Sequence, residues 1–137
     1  MAWLNATPKP AEGTKRAAAK NQPPAKSRNE QMKAIGVTPK MPPVSAPHIL
    51  ARLVEIGLTE AAGMGSAPLS WQSINAWQQS VRLRLAPWEA RLIRKLSVEY
   101  LAEGRRAESE NCPAPWHSAP TEQDREIELR ALQSVLG

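Results

Sequence analysis

The 137 residues are enough for one folded domain, and the composition favours helix over strand. Phe is absent, Tyr100 is the single tyrosine, and five tryptophans supply the other aromatic side chains, so an all-β fold is disfavoured. The net charge of +5 is unevenly spread, because residues 1–45 hold eight Lys or Arg against two Glu, whereas residues 46–137 are close to neutral.

Chemistry-bearing side chains are sparse. Cys112 is the single cysteine, so the chain can form neither an intrachain disulfide nor a cysteine-based zinc site. His48 and His117 lie far apart and lack the spacing of metal ligands. No nucleophile–base pair and no phosphate-binding glycine loop is found. We therefore expect a non-enzymatic protein with no catalytic residue, no metal and no cofactor.

The sequence gives no sign of export or membrane insertion. No apolar run after Met1 is long enough for a signal peptide or a membrane span. We expect a reduced, cytosolic protein that has no membrane partner.

Composition divides the chain into four predicted segments. Residues 1–45 are rich in Pro and Ala, which predicts a disordered basic tail. A helical core domain over 46–104, a Pro-containing linker over 105–120 and a C-terminal helix over 121–137 follow. The predicted fold class is therefore all-α, a small bundle of three to four short helices with a disordered basic N-terminal tail.

The first helix of the predicted core begins at Pro47, since proline suits a first helical turn. Gly63 and Gly65 end it, and a loop over 63–68 follows. Ser70 is the expected cap of the second helix, which ends before Pro87. The apolar positions of both helices recur at steps of three and four. They are Ile49, Leu50, Leu53, Val54 and Leu58 in the first helix, and Trp71, Ile74, Trp77 and Val81 in the second.

The third helix has the clearest pattern, with Pro87 in its first turn and Gly104 at its predicted end. Glu89 stands in the capping-box position, but Ala86 has no side-chain oxygen, so only half of that box can form. A fourth helix is predicted from Thr121, with an acidic first turn that favours the helix dipole. The apolar stripe of the third helix is Trp88, Leu92, Ile93, Leu96, Tyr100 and Leu101.

Tryptophans are the most specific feature, and two interpretations stay open. Trp71, Trp77 and Trp88 would form the core between the second and third helices, where each buries a large apolar area. Alternatively, one or two of the tryptophans stay partly exposed and anchor a partner, with Trp77 and Trp116 as the candidates for exposure.

Basic residues cluster around the turn between the second and third helices. A solvated polar face, whose side-chain stems cover the tryptophans, is favoured over a phosphate-binding patch. The cluster is Arg82, Arg84, Arg91, Arg94 and Lys95.

Two stretches of the core carry a pattern of Pro, Trp and Leu: Pro68-Leu-Ser-Trp-Gln-Ser-Ile-Asn-Ala-Trp77 and Leu85-Ala-Pro-Trp-Glu-Ala-Arg-Leu-Ile-Arg-Lys-Leu-Ser-Val-Glu-Tyr-Leu101. This pattern resembles that of small phage proteins of the tail assembly chaperone family. Pro113-Ala-Pro-Trp116 is similar to the tail end of that family, so the resemblance covers roughly residues 48–116. Ala86 departs from the Ser or Thr often found before Pro-Trp-Glu, and the basic tail has no counterpart.

The resemblance implies a protein that coats the tape-measure protein in the host cytoplasm until tail-tube subunits polymerise around it. The expected partners are the tape-measure protein, the tail-tube protein and further copies of the chain itself. The expected partner-binding residues are Trp71, Trp77, Trp88, Trp116, Arg91 and Arg94.

Two other functions remain as alternatives. The same helices could join a permanent assembly as a virion structural protein of the tail or neck. The basic tail and the arginine cluster could instead serve a nucleic-acid-binding regulator. Nucleic acid is the less favoured partner, because the positive charges of the tail are thinly spread and Trp3 is its single aromatic residue.

Overall fold

The structure is a computed structural model that describes residues 1–18, 24–116 and 122–137. Residues 19–23 of the predicted tail, residues 117–120 of the predicted linker and the predicted cap Thr121 lie outside the described residues. The elements in chain order are α1 (Ala2–Asn5), α2 (Arg28–Ala34), α3 (Pro47–Ile56), β1 (Thr59–Ala62), β2 (Gly65–Pro68), α4 (Trp71–Val81), α5 (Pro87–Arg106) and α6 (Glu122–Leu136).

The three helices predicted over the core are confirmed as α3, α4 and α5. Pro47 and Pro87 stand in the first turns of α3 and α5, and Ser70 caps α4 by accepting the Ser73 amide at 3.1 Å. The half capping box of α5 is present, since the Ala86 amide donates to Glu89 Oε1 at 3.2 Å. α5 continues through Gly104 to Arg106, two residues beyond its predicted end.

The core lies where α3, α4 and α5 meet. Its buried members come from all three helices and from the segments that join them, so no single element could form it alone. The Glu89 carboxylate on α5 also forms an ion pair with Arg52 on α3, which ties the start of α5 to its neighbour. The core residues are Ile49, Leu53, Leu69, Ile74, Leu85 and Ile93.

The prediction of an all-α fold is wrong, because β1 and β2 form an antiparallel two-stranded sheet. β2 lies in the predicted loop, but β1 lies in the stretch predicted to continue the first helix to Gly63, and α3 instead ends at Ile56. Ala62 pairs with Gly65, so the turn consists of Gly63 and Met64. Gly63 has a φ of 58°, a left-handed conformation that glycine adopts at little cost and that two-residue hairpins require. The fold is mixed, though mostly helical.

A buried hydroxyl on α5 explains why this hairpin forms from residues with little β-propensity. Ser97 is fully buried. Its Oγ accepts the Leu69 amide at 2.9 Å and donates to the Leu58 carbonyl at 2.5 Å. Leu58 precedes β1 and Leu69 follows β2, so this one side chain holds both ends of the hairpin together. The pairing depends on a residue 28 positions or more away, which a local pattern does not reveal.

The prediction of a disordered N-terminal tail is also wrong for the described residues that form α1 and α2. α1 packs on α5, and Asn5 Nδ2 donates to the Tyr100 hydroxyl at 3.0 Å. Lys9 donates its amide to the Glu108 carbonyl at 2.7 Å, which joins the N-terminal segment to the chain after α5.

Arg28 anchors this N-terminal segment. It is only 7% exposed, and its guanidinium lies over the Trp3 ring at 4.5 Å. The same guanidinium donates to the carbonyls of Trp3, Ala107 and Ser109 at 3.1, 2.6 and 2.8 Å. The Ala107 and Ser109 carbonyls follow the end of α5, so these two contacts satisfy backbone acceptors that a helix terminus leaves open. The partners are up to 81 residues from Arg28, and composition alone therefore suggested disorder.

α6 matches the predicted C-terminal helix and has Glu122 and Asp124 in its first turn. The division of the chain into four segments stays a prediction. None of the helices in the described residues is both long and apolar enough to span a bilayer.

Candidate protein-binding surface

Two tryptophans lie half-exposed on the helices that form the core. Trp71 is 50% exposed at the first position of α4, and Trp88 is 55% exposed in the first turn of α5. The interpretation that both belong to the core is therefore wrong. An exposed indole on a rigid helix offers a large apolar area at little entropic cost, which is typical of protein-binding hot spots.

The N-terminus of α4 positions Trp71. One carboxylate oxygen of Glu60, on β1, accepts hydrogen bonds from the Ser70 amide, the Ser70 hydroxyl and the Ser73 hydroxyl. The bond from the Ser73 hydroxyl and the bond from the Ser70 amide hold the pKa of Glu60 below its ordinary value. A carboxylate at a helix N-terminus also favours the helix dipole. The hairpin thereby fixes the turn from which Trp71 projects.

A shallow, open cleft lies beside Trp71, mainly along α4, and borders α5 at Ala90. Its volume is about 410 Å³. Trp71, Ile74 and Gln78 line it at steps of three and four along α4, and Ala90 lines it from α5. Because alanine is small, it leaves room between the helices. The cleft is apolar at its base and has amide side chains at its edge, which suits an amphipathic segment.

Arg94 covers one side of this tryptophan. Its guanidinium carbon is 5.5 Å from the centroid of the Trp71 ring, within the range of a cation–π contact. The prediction was that arginine stems cover the tryptophans, whereas the contact at this position is made by the guanidinium. Arg94 is partly buried, and the contact restricts the indole while leaving half of it exposed.

Trp77 differs from Trp71, because a smaller fraction of its side chain is exposed. It is partly buried and packs against the core. Its indole nitrogen is buried and has no hydrogen-bond partner among the residues that the structure describes. Trp77 therefore contributes to the interior and is not a surface anchor.

A second exposed surface runs along α5, which we call the α5 ridge: Trp88, Arg91, Lys95 and Val98. These residues recur at steps of three, four and three, so they lie on one face of the helix. All four are exposed. At 100° per residue, Trp88 lies on the opposite side of α5 from Ala90. The structure therefore brings Trp71 together with Arg94, and Trp88 with Arg91, as two separate sites.

Trp116 is 36% exposed, which confirms its predicted exposure. It follows the end of α5 by ten residues and lies outside both sites. Two members of the surface were missed from the sequence, Ala90 in the cleft and Val98 on the α5 ridge. The spacing from Trp88 could have identified Val98, but Ala90 is recognisable only once α4 lies beside it.

Within residues 1–18, 24–116 and 122–137, no group of three or more His, Cys, Asp or Glu side chains is placed to hold a metal ion. Comparison of the chain with protein families, curated proteins and solved structures found no match.

Proposed function

We propose that this chain is a non-enzymatic tail assembly chaperone. It acts in the host cytoplasm, where it binds a tape-measure protein and keeps it soluble until the tail tube polymerises. The half-exposed Trp71 beside an apolar cleft is the observation that carries the proposal. The sequence resemblance in the same segment is the basis for proposing the tape-measure protein as the client.

The chemistry of the cleft suits a helical client. A long, aggregation-prone helical protein exposes apolar stripes flanked by charge, and such a stripe binds in a groove between two helices. Trp71 supplies the apolar contact, and Arg94 supplies a positive charge at its edge. Arg94 also holds the indole in place, so less side-chain entropy is lost when the client binds.

A chaperone of this kind must release its client. One cleft of this size supports only weak binding, since affinity depends on a few well-buried contacts. Many copies along one client would still hold it through multivalency. Tube subunits that polymerise along the client can then displace the copies one after another.

Co-expression with the tape-measure protein of the same phage tests the proposal. We expect the client to become soluble and to co-purify with the chain. Trp71→Ala should release most of the client, whereas Val54→Ala, which truncates a 52% exposed valine on α3, should not. A client that stays insoluble, or that binds both variants equally, would refute the proposal.

Mass spectrometry of purified particles separates this function from that of a virion structural protein. A chaperone is absent from finished particles, whereas a tail or neck component is present in stoichiometric amount. Detection of the chain at that level would exclude the chaperone function.

A further inference from the structure

The apolar face of α6 has no cover. No residue of α6, which the structure describes in full, is buried. An isolated helix of 15 residues is only marginally stable in water, so α6 needs a surface to pack on. The exposed large side chains are Ile127 at 63%, Leu129 and Leu132 at 57%, Val135 at 82% and Leu136 at 84%.

The charge of α6 indicates what kind of surface that is. The helix carries four acidic residues, Glu122, Asp124, Glu126 and Glu128, against Arg125 and Arg130. Asp124 forms an ion pair with Lys40, and Glu126 forms one with Arg130 of the same helix. Two such helices repel each other, so pairing of α6 with α6 is disfavoured. A basic helix face with apolar side chains would complement it.

The α5 ridge has these properties. Arg91 and Lys95 are its two central residues, and Trp88 and Val98 flank them. The exposed Glu99 lies on the same face beside Val98, so the positive charge is confined to the centre of the ridge. On α6, Arg125, Leu129, Leu132 and Leu136 recur at steps of four, three and four. Matching three–four repeats allow two helices to interlock side by side. The 15 residues of α6 extend about 22 Å, enough to cover the ridge from Trp88 to Val98.

We propose that α6 of one copy docks on the α5 ridge of a second copy of this chain. The acidic residues Glu126 and Glu128, which flank the leucines, then lie near Arg91 and Lys95. Both faces are exposed in the same chain, so the two do not cover each other within one molecule. Reciprocal exchange of α6 gives a closed dimer, whereas one-way docking gives a longer chain of copies.

This interface does not depend on the proposed chaperone function. It uses the α5 ridge and leaves the cleft at Trp71, on another side of α5, free for a client. It assigns two of the expected partner-binding residues, Trp88 and Arg91, to self-association. The client-binding experiment with Trp71→Ala and the experiments below can therefore fail separately.

Sedimentation of the full chain at increasing concentration tests the inference. The chain has a mass of 15.0 kDa, and we expect the average mass to rise to twice this value or more.

Arg91→Glu with Lys95→Glu should raise the dissociation constant about tenfold or more, since like charges then face each other. Glu126→Lys with Glu128→Lys, added to that variant, should restore association. Lys15→Glu with Lys26→Glu reverses two exposed charges elsewhere and should change nothing.

Mixing two defective variants distinguishes exchange between copies from docking within one chain. Arg91→Glu with Lys95→Glu disrupts the α5 ridge and leaves α6 unchanged. Leu129→Ser with Leu132→Ser removes apolar side chains of α6 and leaves the α5 ridge unchanged. Each should be monomeric alone, and the mixture should form a one-to-one dimer. The inference would be overturned if the mixture, or the wild-type chain at all concentrations, stayed monomeric. An equal loss of self-association in the Lys15→Glu with Lys26→Glu control would also overturn it. If the charge variant fails to fold by circular dichroism, Trp88→Gln replaces it in the same mixing test.

Discussion

The Arg94 guanidinium lies 5.5 Å above the Trp71 ring, and it is this pairing of α5 with α4 that turns an exposed indole into an ordered surface. Exposure alone would allow Trp71 to make only non-specific apolar contacts. With one side of the ring covered and the cleft beside it, the indole has a defined orientation in which a partner can contact it.

Loss of this pairing should affect binding more than folding. We expect Arg94→Gln to lower the free energy of unfolding by about 0.5–1 kcal/mol, the range of a partly exposed cation–π contact. Capture of the tape-measure protein should fall severalfold, because the indole is no longer held. Thermal unfolding and a pull-down measure the two effects. Arg105→Gln, which removes an exposed arginine from the same helix outside both surfaces, is the control for client capture.

Trp77 provides a stability prediction that depends on its buried nitrogen. Trp77→Ala should destabilise the fold by about 2–4 kcal/mol, because it leaves a cavity against the core. Trp77→Phe keeps most of the ring and removes a buried donor that has no partner in the described residues, so it should cost about 1 kcal/mol or less. Denaturant unfolding of both variants provides the measurement. Equal losses would show that the indole nitrogen does have a partner.

The hairpin should depend on Ser97. Ser97→Ala leaves the Leu69 amide and the Leu58 carbonyl without their buried partner, and we expect a loss of about 2–3 kcal/mol in the free energy of unfolding. Ser80→Ala removes a hydroxyl on the exposed surface of α4 and should stay within about 0.5 kcal/mol. Hydrogen exchange should show faster opening of β1 and β2 in the first variant only.

Arg28 should decide whether the N-terminal segment stays attached. Arg28→Lys keeps the charge, but an ammonium group cannot reproduce the planar fork that reaches three carbonyls and lies over Trp3. We expect amides in α1 and α2 to exchange at least about tenfold faster, while those of α3 to α5 are unchanged. Arg84→Lys, at an exposed position, is the matched control. Unchanged exchange in α1 would mean that its packing on α5 suffices.

A pH dependence follows from Glu60. Its folded pKa lies below its ordinary value because the Ser73 hydroxyl and the Ser70 amide donate to its carboxylate. The stabilisation is thus fully present above the unfolded pKa of glutamate, and it is lost as the pH falls through the lower folded pKa. Glu60→Gln should reduce the stability difference between neutral and acidic solution. Glu55→Gln, at an exposed position on α3, should leave that difference unchanged.

Local patterns were sufficient for the central helices. Ser70 predicted the start of α4 and Pro87 that of α5, since caps and first-turn prolines act over three or four residues. The apolar spacing likewise identified Ile74 and Ile93, which are buried. These features depend on residues that are close to one another in the chain, and such local interactions can be recognised from the sequence.

Helical spacing did not predict which tryptophans are buried, because residues at the two edges of a wide apolar stripe follow the same spacing in the sequence. Trp71 and Trp77 both fit the stripe of α4, yet one is half-exposed and the other packs against the core. The position of α5 decides this difference, since the small Ala90 leaves open the side of α4 on which Trp71 lies. A helical pattern states which residues share a face, but it does not state where the neighbouring helix ends.

The amino-acid sequence by itself determined where the helices of the core begin and which residues are apolar enough to bury. Only the tertiary structure decided the hairpin, the attachment of the N-terminal segment and the exposure of Trp71. The physical reason is that each of these depends on a polar or stacking contact between distant parts of the chain, made by Ser97, Arg28 and Arg94. The energy of such contacts appears only when the backbone has already brought the partners together.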